Sequence, residues 1–288
     1  MKEIVIISGK GGTGKTSIAA SFATLATNAV FADCDVDAAD LHLILSPQSQ
    51  KVNEFYSGYE AIIDVHKCMK CGECYKVCRF EAVKKKNACY QIDPLDCEGC
   101  CICHDFCRYN AIELKERLCG EWYLSDTRFG PMVHAKLDIG AENSGKLVTM
   151  VRNEAKKAAS EKNAEMILID GPPGIGCPVI ASITGADAIV AVTEPTLSGK
   201  HDLGRVIELA AHFKIPLYLC VNKYDINVQM TEIIEENAKK LGAILLGRIS
   251  YDREVTEAQI NGKSVVEWNQ GQASKEIKNI WEKLCSQI

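Results

Sequence analysis

Two kinds of apolar pattern alternate along most of the chain. Short runs rich in Val, Ile and Leu (KEIVIIS, AVFADCD, AEMILID, ADAIVAVTE, PLYLCVN) have the length and β-branched content of strands buried on both faces. Between them lie longer segments of helical period or small residues: SIAASFATLAT, SGKLVTMVRNEAKKAAS, the stretch from Ser198 to about Phe213, and the closing EIKNIWEKLC. A strand followed by a helix and another strand implies parallel pairing, because a parallel crossover needs a helix-length connection. The pattern predicts an α/β fold, a doubly wound and mostly parallel sheet with helices on both faces.

Between residues 55 and 125 this rhythm stops, and Cys, Lys and charged turn residues take over. Cys68, Cys71, Cys74 and Cys78 form one run and Cys97, Cys100, Cys103 and Cys107 a second, each followed by a short apolar segment, EAVKKK and NAIELK. Two similar halves predict an inserted pseudo-twofold α+β domain over 55–125, with 1–54 and 126–288 forming the main domain. The terminal helix places Ile277, Ile280, Trp281, Leu284 and Ile288 on one face. Its polar face is nearly balanced in charge, which favours packing on the core over a membrane surface.

With 47% apolar and 25% charged residues the chain is not a disordered one. Lys and Arg number 33 against 38 Asp and Glu, a net charge of −5, so no global basic field exists to hold nucleic acid or an anionic membrane. The chain lacks an apolar run of transmembrane length, and MKEIVIISGK enters a strand and glycine loop with no export signal, so the expectation is a cytoplasmic protein. In that compartment fifteen clustered cysteines point to metal chemistry rather than disulfides.

Gly9–Thr16, GKGGTGKT, satisfies G-x-x-x-x-G-K-[ST] between a predicted strand and a predicted helix. Backbone N–H groups of Gly11, Gly12, Thr13, Gly14, Lys15, Thr16 and Ser17 can then turn on phosphates at a helix N-terminus. Lys15 reaches the outer phosphates, and the Thr16 hydroxyl is placed for Mg²⁺. Lys10, directly after the first glycine, makes the loop resemble that of the deviant Walker A ATPases, the family of the MinD and ParA proteins, the nitrogenase iron protein and the Mrp-type iron–sulfur carriers. The resemblance implies that Lys10 crosses to the phosphates of a partner subunit's ATP, hence an ATP-dependent homodimer. It also implies a first switch in DCDVDAAD, with Asp35 orienting the attacking water. Asp170, ending the strand before GPPGIG, would be the Walker B carboxylate holding Mg²⁺ through water, and the Gly174 N–H would sense the γ-phosphate. NKYD resembles the base-reading tetrad of GTPases, in which Asp225 would select guanine; the Lys10 signature favours Asn222 contacting adenine, and so ATP and ADP. GRISYDREV resembles the family's stretch beside the base, with Ser250 where proline is usual.

Both cysteine runs read C-x₂-C-x₂-C-x₃-C, the spacing of bacterial two-cluster ferredoxins. Three thiolates on one loop reach three corners of a cubane and the fourth comes from the other run. This assigns Cys68, Cys71, Cys74 and Cys107 to one [4Fe–4S] cluster and Cys97, Cys100, Cys103 and Cys78 to the other. The competing reading is tetrahedral zinc on each run, which two full copies in this order disfavour. Arg79 and Arg108 replace the usual proline after each fourth cysteine. Cys101 is a ninth thiol within the second run, Cys89 and Cys119 read as small core residues, and Cys177 falls in the second switch.

Together these features predict an ATPase, slow without a partner, whose homodimer switching is coupled to electron transfer through two clusters and to an unidentified redox or iron–sulfur acceptor protein. The alternatives are an iron–sulfur assembly or transfer factor of the Mrp type, and a positioning ATPase of the MinD or ParA type. The Mrp reading lacks that group's C-terminal C-x-x-C. The positioning reading needs a membrane or DNA surface that the charge balance does not favour.

Overall fold

The structure, a computed structural model, describes residues 1–87, 89–138 and 143–288, with the backbone alone at residues 49–50. It divides into two compact units. The first comprises Met1–Asn53, Glu121–Leu137 and Asn143–Ile288; the second is Glu54–Gly120 with the segment that begins at Asp138.

The strands in chain order are β1 Lys2–Ser8, β2 Ala29–Asp33, β3 Gln48–Ile63, β4 Val83–Lys86, β5 Cys89–Ile92, β6 Ile112–Thr127, β7 Gly130–Leu137, β8 Met166–Pro173, β9 Ala188–Thr193, β10 Leu217–Asn222 and β11 Ile244–Ile249. In the first unit they lie in the order β11-β10-β9-β1-β8-β2-β7, and every neighbouring pair in that order is parallel. The order reverses direction about β1, and the β1–Gly loop–helix turn opens there, at the carboxyl ends of the strands where ligands bind in such sheets. Register matters as much as order. β2 pairs with β8 so that Asp33 stands beside Asp170, and with β7 so that Asp33 stands beside His134.

The strands are buried on both faces, as their unbroken apolar runs require: Ile4, Val5, Ile6 and Ile7 are all fully buried. Helix Lys15–Leu25 lies over the sheet through Ile18 and Phe22, and its small residues Ala19, Ala20 and Ala23 allow close approach. The terminal helix Gln272–Cys285 joins the same core. Ile277, Ile280 and Leu284 are buried, and Trp281 packs on Phe22 with ring centroids 5.0 Å apart and the planes tilted by 44°. The face proposed from sequence for core packing is therefore occupied by core. No helix among the described residues is long and apolar enough to cross a membrane.

In the second unit β4 and β5 form a two-stranded antiparallel sheet, Val83 opposite Ile92, while β3 and β6 are neighbours in strand order. Two short helices, Glu73–Val77 and Ile102–Asp105, follow the two glycine-bearing cysteine loops. A small cluster of Ala61, Ala82, Cys97, Cys103 and Ile112, with further cysteines packed against it, forms a core here, and Phe55, Val83, Ala111 and Cys119 are buried as well. A core of this size supplies little stability, since below ~70–80 residues even good cores rarely give more than about 3–5 kcal/mol.

Candidate nucleotide site and cysteine hollows

The glycine loop closes on a cavity of about 620 Å³ lined by Gly11, Gly12, Thr13, Gly14, Lys15, Thr16 and Ser17, together with Asp35 and Asn222. Gly14 caps helix Lys15–Leu25 with φ +88°, and an added Cβ would collide with the Asn222 amide nitrogen, so two constraints select glycine here. The first turn of this helix has no acidic residue and begins with Lys15. A helix dipole favours anions at that end. A cation there is the reverse of a stabilising choice, and suits a site whose anion arrives as ligand.

Lys15 is buried and held between two carboxylates, 2.7 Å from Asp170 Oδ1 and 3.3 Å from Asp35 Oδ2. Burial works against its charge, but Asp170 and Asp35 outweigh it and hold the ammonium above the usual lysine range. Asp35 and Asp33 are also shifted upward, which for a carboxyl disfavours the charged form. Burial comes first for both, and raises their pKa values against the opposing pull of Lys15. Asp33 is fully buried, and its oxygens accept from the N–H groups of Asp35 and Leu41, 3.1 Å each, so it shapes the turn that presents Asp35. The Oδ2 of Asp170 is buried without a hydrogen-bond partner, as is the Thr13 hydroxyl. Lys15 Nζ reaches both Asp170 and the Thr16 hydroxyl, the latter at 3.4 Å, and an orphaned carboxylate oxygen in that setting fits a divalent cation, because a hard cation takes oxygen ligands and water.

Three predicted residues are engaged elsewhere in the chain. The Gly174 N–H donates to the Ser8 carbonyl at 2.8 Å. The Asn222 side chain donates to the Thr13 carbonyl at 2.8 Å and accepts from the Lys223 N–H, so in this state it braces the loop. Lys10 lies on its own chain, 2.6 Å from Glu194 and 3.0 Å from the Ser198 hydroxyl. Asp225 accepts from the Tyr251 N–H at 2.7 Å and is not among the residues lining the cavity. The wall beyond Asn222 is formed by Ser250, Tyr251, Asp252, Val255, Thr256 and Gln259. Sequence reasoning missed Gln259 and Glu194. Glu194 was findable, since it follows β9 at the carboxyl edge of the sheet.

The cysteines gather in two hollows in the second unit. One is lined by Cys68, Cys71, Cys74 and Cys107; the other by Cys78, Cys97, Cys100 and Cys103, with Cys101 beside them. Each hollow thus draws three thiols from one run and one from the other. The loops turn tightly at Gly72 and Gly99; at Gly99 an added Cβ would meet the Tyr59 backbone. Burial, then the neighbouring Cys97, pushes the Cys103 thiol up to about 11, so metal binding there would release a proton. No trio of His, Cys, Asp or Glu among the described residues converges on a single point. One zinc needs its sulfurs about 2.3 Å from a common centre. Cys119 is buried and donates to the Ser57 carbonyl, as a core cysteine should, whereas Cys177 is exposed.

A strand–glycine-loop–helix phosphate site on a parallel sheet, with a buried lysine between two carboxylates, defines a P-loop nucleotide-binding protein. The match is specific: the chain belongs to the CobQ/CobB/MinD/ParA nucleotide-binding domain family, matching over residues 4–265. It is 40% identical to the uncharacterized protein MJ0578 of Methanocaldococcus jannaschii over 229 residues, 78% of this chain and 79% of that protein. It is 27% identical to an iron–sulfur cluster carrier protein of Pyrococcus abyssi over 158 residues, half of this chain and 53% of that one. In fold it resembles the Pyrococcus furiosus cell division ATPase MinD, with a TM-score of 0.59 and 16% identity over 100% of this chain and 99% of that one. The protein is a nucleotide-binding member of the MinD/ParA type of ATPases.

Proposed function

We propose that the chain is an ATP-hydrolysing iron–sulfur protein in which nucleotide-driven homodimer switching is coupled to electron transfer. The observation that carries this reading is the pair of hollows, each with three thiols of one cysteine run and the fourth of the other. The division of labour would follow the sequence boundaries, an ATPase domain of 1–54 and 126–288 and a two-cluster ferredoxin-like insert of 55–125.

In the ATPase domain the loop amides from Gly11 to Ser17 bind the phosphates. Lys15 leaves Asp170 and Asp35 for the outer phosphate, which frees Asp170 and the Thr16 hydroxyl to hold Mg²⁺ and frees Asp35 to orient water. Phosphoryl transfer depends on such positioning and charge more than on covalent chemistry by the protein. Lys10 exchanges Glu194 for a partner subunit's phosphates, the Gly174 amide follows the γ-phosphate, and Asn222 turns to the adenine. In the insert Cys68, Cys71, Cys74 and Cys107 hold one group, and Cys78, Cys97, Cys100 and Cys103 the other. Bound [4Fe–4S] clusters supply one-electron chemistry at low potential. The thiols fix their position, while Arg79 and Arg108 supply nearby positive charge that favours the reduced, more negative form.

A second reading, an iron–sulfur carrier, is favoured by the carrier protein matched over half the chain. Anaerobic EPR redox titration of the reconstituted protein with ATP, with ADP and without nucleotide, followed by an apo-ferredoxin challenge, separates the two. Two retained clusters whose potentials move with ATP support coupled electron transfer. Clusters that leave for the acceptor when ATP is added overturn it in favour of the carrier.

A further inference from the structure

The two halves of the insert share one cysteine spacing but not one charge. The chain around the first run, residues 64–78, carries Lys67, Lys70 and Lys76 against Asp64 and Glu73. The corresponding chain around the second, residues 93–107, has Asp93, Asp96, Glu98 and Asp105 and neither Lys nor Arg. Internal pairing leaves this asymmetry standing. Lys76 pairs with Glu73 at 2.9 Å and Lys67 with Asp64 at 3.4 Å, which accounts for both acids and leaves the charge of Lys70 over. On the second half Lys84 reaches Asp96 at 2.9 Å and Arg117 donates to the Cys97 carbonyl at 3.3 Å, so four acids face two cations and the half stays net negative. Both hollows have an apolar lip and an exposed cysteine, Met69, Tyr109 and Cys71 at the first and Phe80, Ile102 and Cys100 at the second, so charge is what tells the two faces apart.

We propose that the face around Cys71 is the docking surface of an acidic one-electron carrier protein. This rests on the two-cluster reading above and adds the direction from which an electron comes or goes. The lysines steer an acidic carrier to this face and the acids of the second half repel it from the other, so encounter is oriented before contact. Met69 and Tyr109 then give the close, water-excluding contact that charged side chains do not. Exposure of Cys71 brings a ligand of this hollow to the surface where the carrier docks. The step balances with one electron: a reduced [2Fe–2S] carrier is oxidised by one electron as a [4Fe–4S] group held by the first run is reduced by one, with no bond or proton transferred.

The test uses the full chain, anaerobically reconstituted, with an acidic plant-type [2Fe–2S] ferredoxin as probe and a basic cytochrome c as the opposite-charge control. Affinity for the oxidised probe is measured by calorimetry at low and high salt, alongside the stopped-flow rate at which the reduced probe is oxidised. EPR and iron content establish cluster occupancy. The expected result is probe affinity falling roughly tenfold or more with salt, and by a similar factor in the Lys67→Glu/Lys70→Glu variant. The Lys85→Glu/Lys86→Glu control should stay within about twofold of wild type, and cytochrome c should show no loss in the first variant. If the first variant takes up less iron, Lys76→Glu, which adjoins no ligand, is read in its place. Equal affinity in fully loaded wild type and variant, or affinity indifferent to salt, overturns the docking surface and leaves the clusters standing. A protein that takes up no iron fails at the two-cluster reading and takes the docking surface with it.

Discussion

Replacing Lys15 by Met tests whether the buried triad of Lys15, Asp35 and Asp170 is as tightly balanced as its geometry implies. At an effective dielectric of about 20, separations of 2.7 and 3.3 Å give attractions of about 6 and about 5 kcal/mol. Desolvation of three buried charges offsets most of this, at several kcal/mol per ion. Removing the cation is nevertheless costly, because Asp170 Oδ2 already lacks a partner and Oδ1 then loses its own. Breaking a buried pair typically costs about 3–5 kcal/mol. At ~2–4 °C per kcal/mol for a large domain, the nucleotide-free variant in EDTA should melt ~6–20 °C below wild type near pH 8. The pH dependence has a definite sign. Asp33 and Asp35 already bind protons more readily than in the unfolded chain, burial being the first cause and Lys15 opposing it. Without Lys15 they rise further, so the folded variant holds protons that the unfolded chain releases. That stability is complete below the unfolded carboxylate value, ~3.9, and is lost as pH rises through the folded values. The deficit should therefore shrink from pH 8 to pH 5, and Mg²⁺ should recover part of it at pH 8 by taking the vacated position between the carboxylates. Scanning calorimetry or thermal circular dichroism reads all three effects. A variant that melts with wild type at pH 8, or a deficit equal at both pH values, would refute the reasoning.

If Asp35 orients the attacking water as proposed, Asp35→Asn, which keeps shape but removes the charge, should lower kcat for ATP hydrolysis by roughly 10²–10⁴ while nucleotide affinity moves only a few-fold; a phosphate-release assay with unchanged kcat would exclude the role. Gly14→Ala places a Cβ against the Asn222 amide at a left-handed φ, and fluorescent ATP titration should show affinity down by about tenfold or more; binding within twofold would contradict the loop geometry. His134, stacked between His42 and Tyr123, has its pKa lowered to about 4, first by burial and then by His42. Its neutral form contributes stability that is present above the unfolded value of ~6.5 and is lost as pH falls toward 4, an upper limit of about 3 kcal/mol that partial exposure reduces. His134→Phe should flatten this acid limb in denaturant titrations at pH 7, 5.5 and 4, and an unchanged limb would refute the assignment.

The strands and helices of the first unit were legible because each carries its period in local composition, and a strand buried on both faces leaves an unbroken apolar run. The phosphate loop was legible for a similar reason: its glycines and Lys15 are consecutive. What sequence did not reveal depends on register and side-chain state. Nothing local says that Asp33 stands beside both Asp170 and His134, since that follows from how β2 slides against β7 and β8. Nor does the signature of Lys10 say that in a single chain it rests on Glu194, nearly two hundred positions away. Asn222 was expected at the base and braces the loop, because an amide with no nucleotide to meet satisfies itself on the nearest carbonyl. In the insert the spacing led directly to the grouping of thiols, but the lopsided charge of its two halves required comparing them residue by residue.

The strands that carry the chain into and out of the cysteine unit, β3 and β6, are neighbours in strand order. An insertion whose entry and exit lie side by side can be gained or lost with little rearrangement of its host, because a hairpin turn can replace it. For engineering the consequence is a short circuit: joining Asn53 to Glu121 through a two-residue turn bypasses Glu54–Gly120 and should leave the glycine loop and its parallel sheet in place.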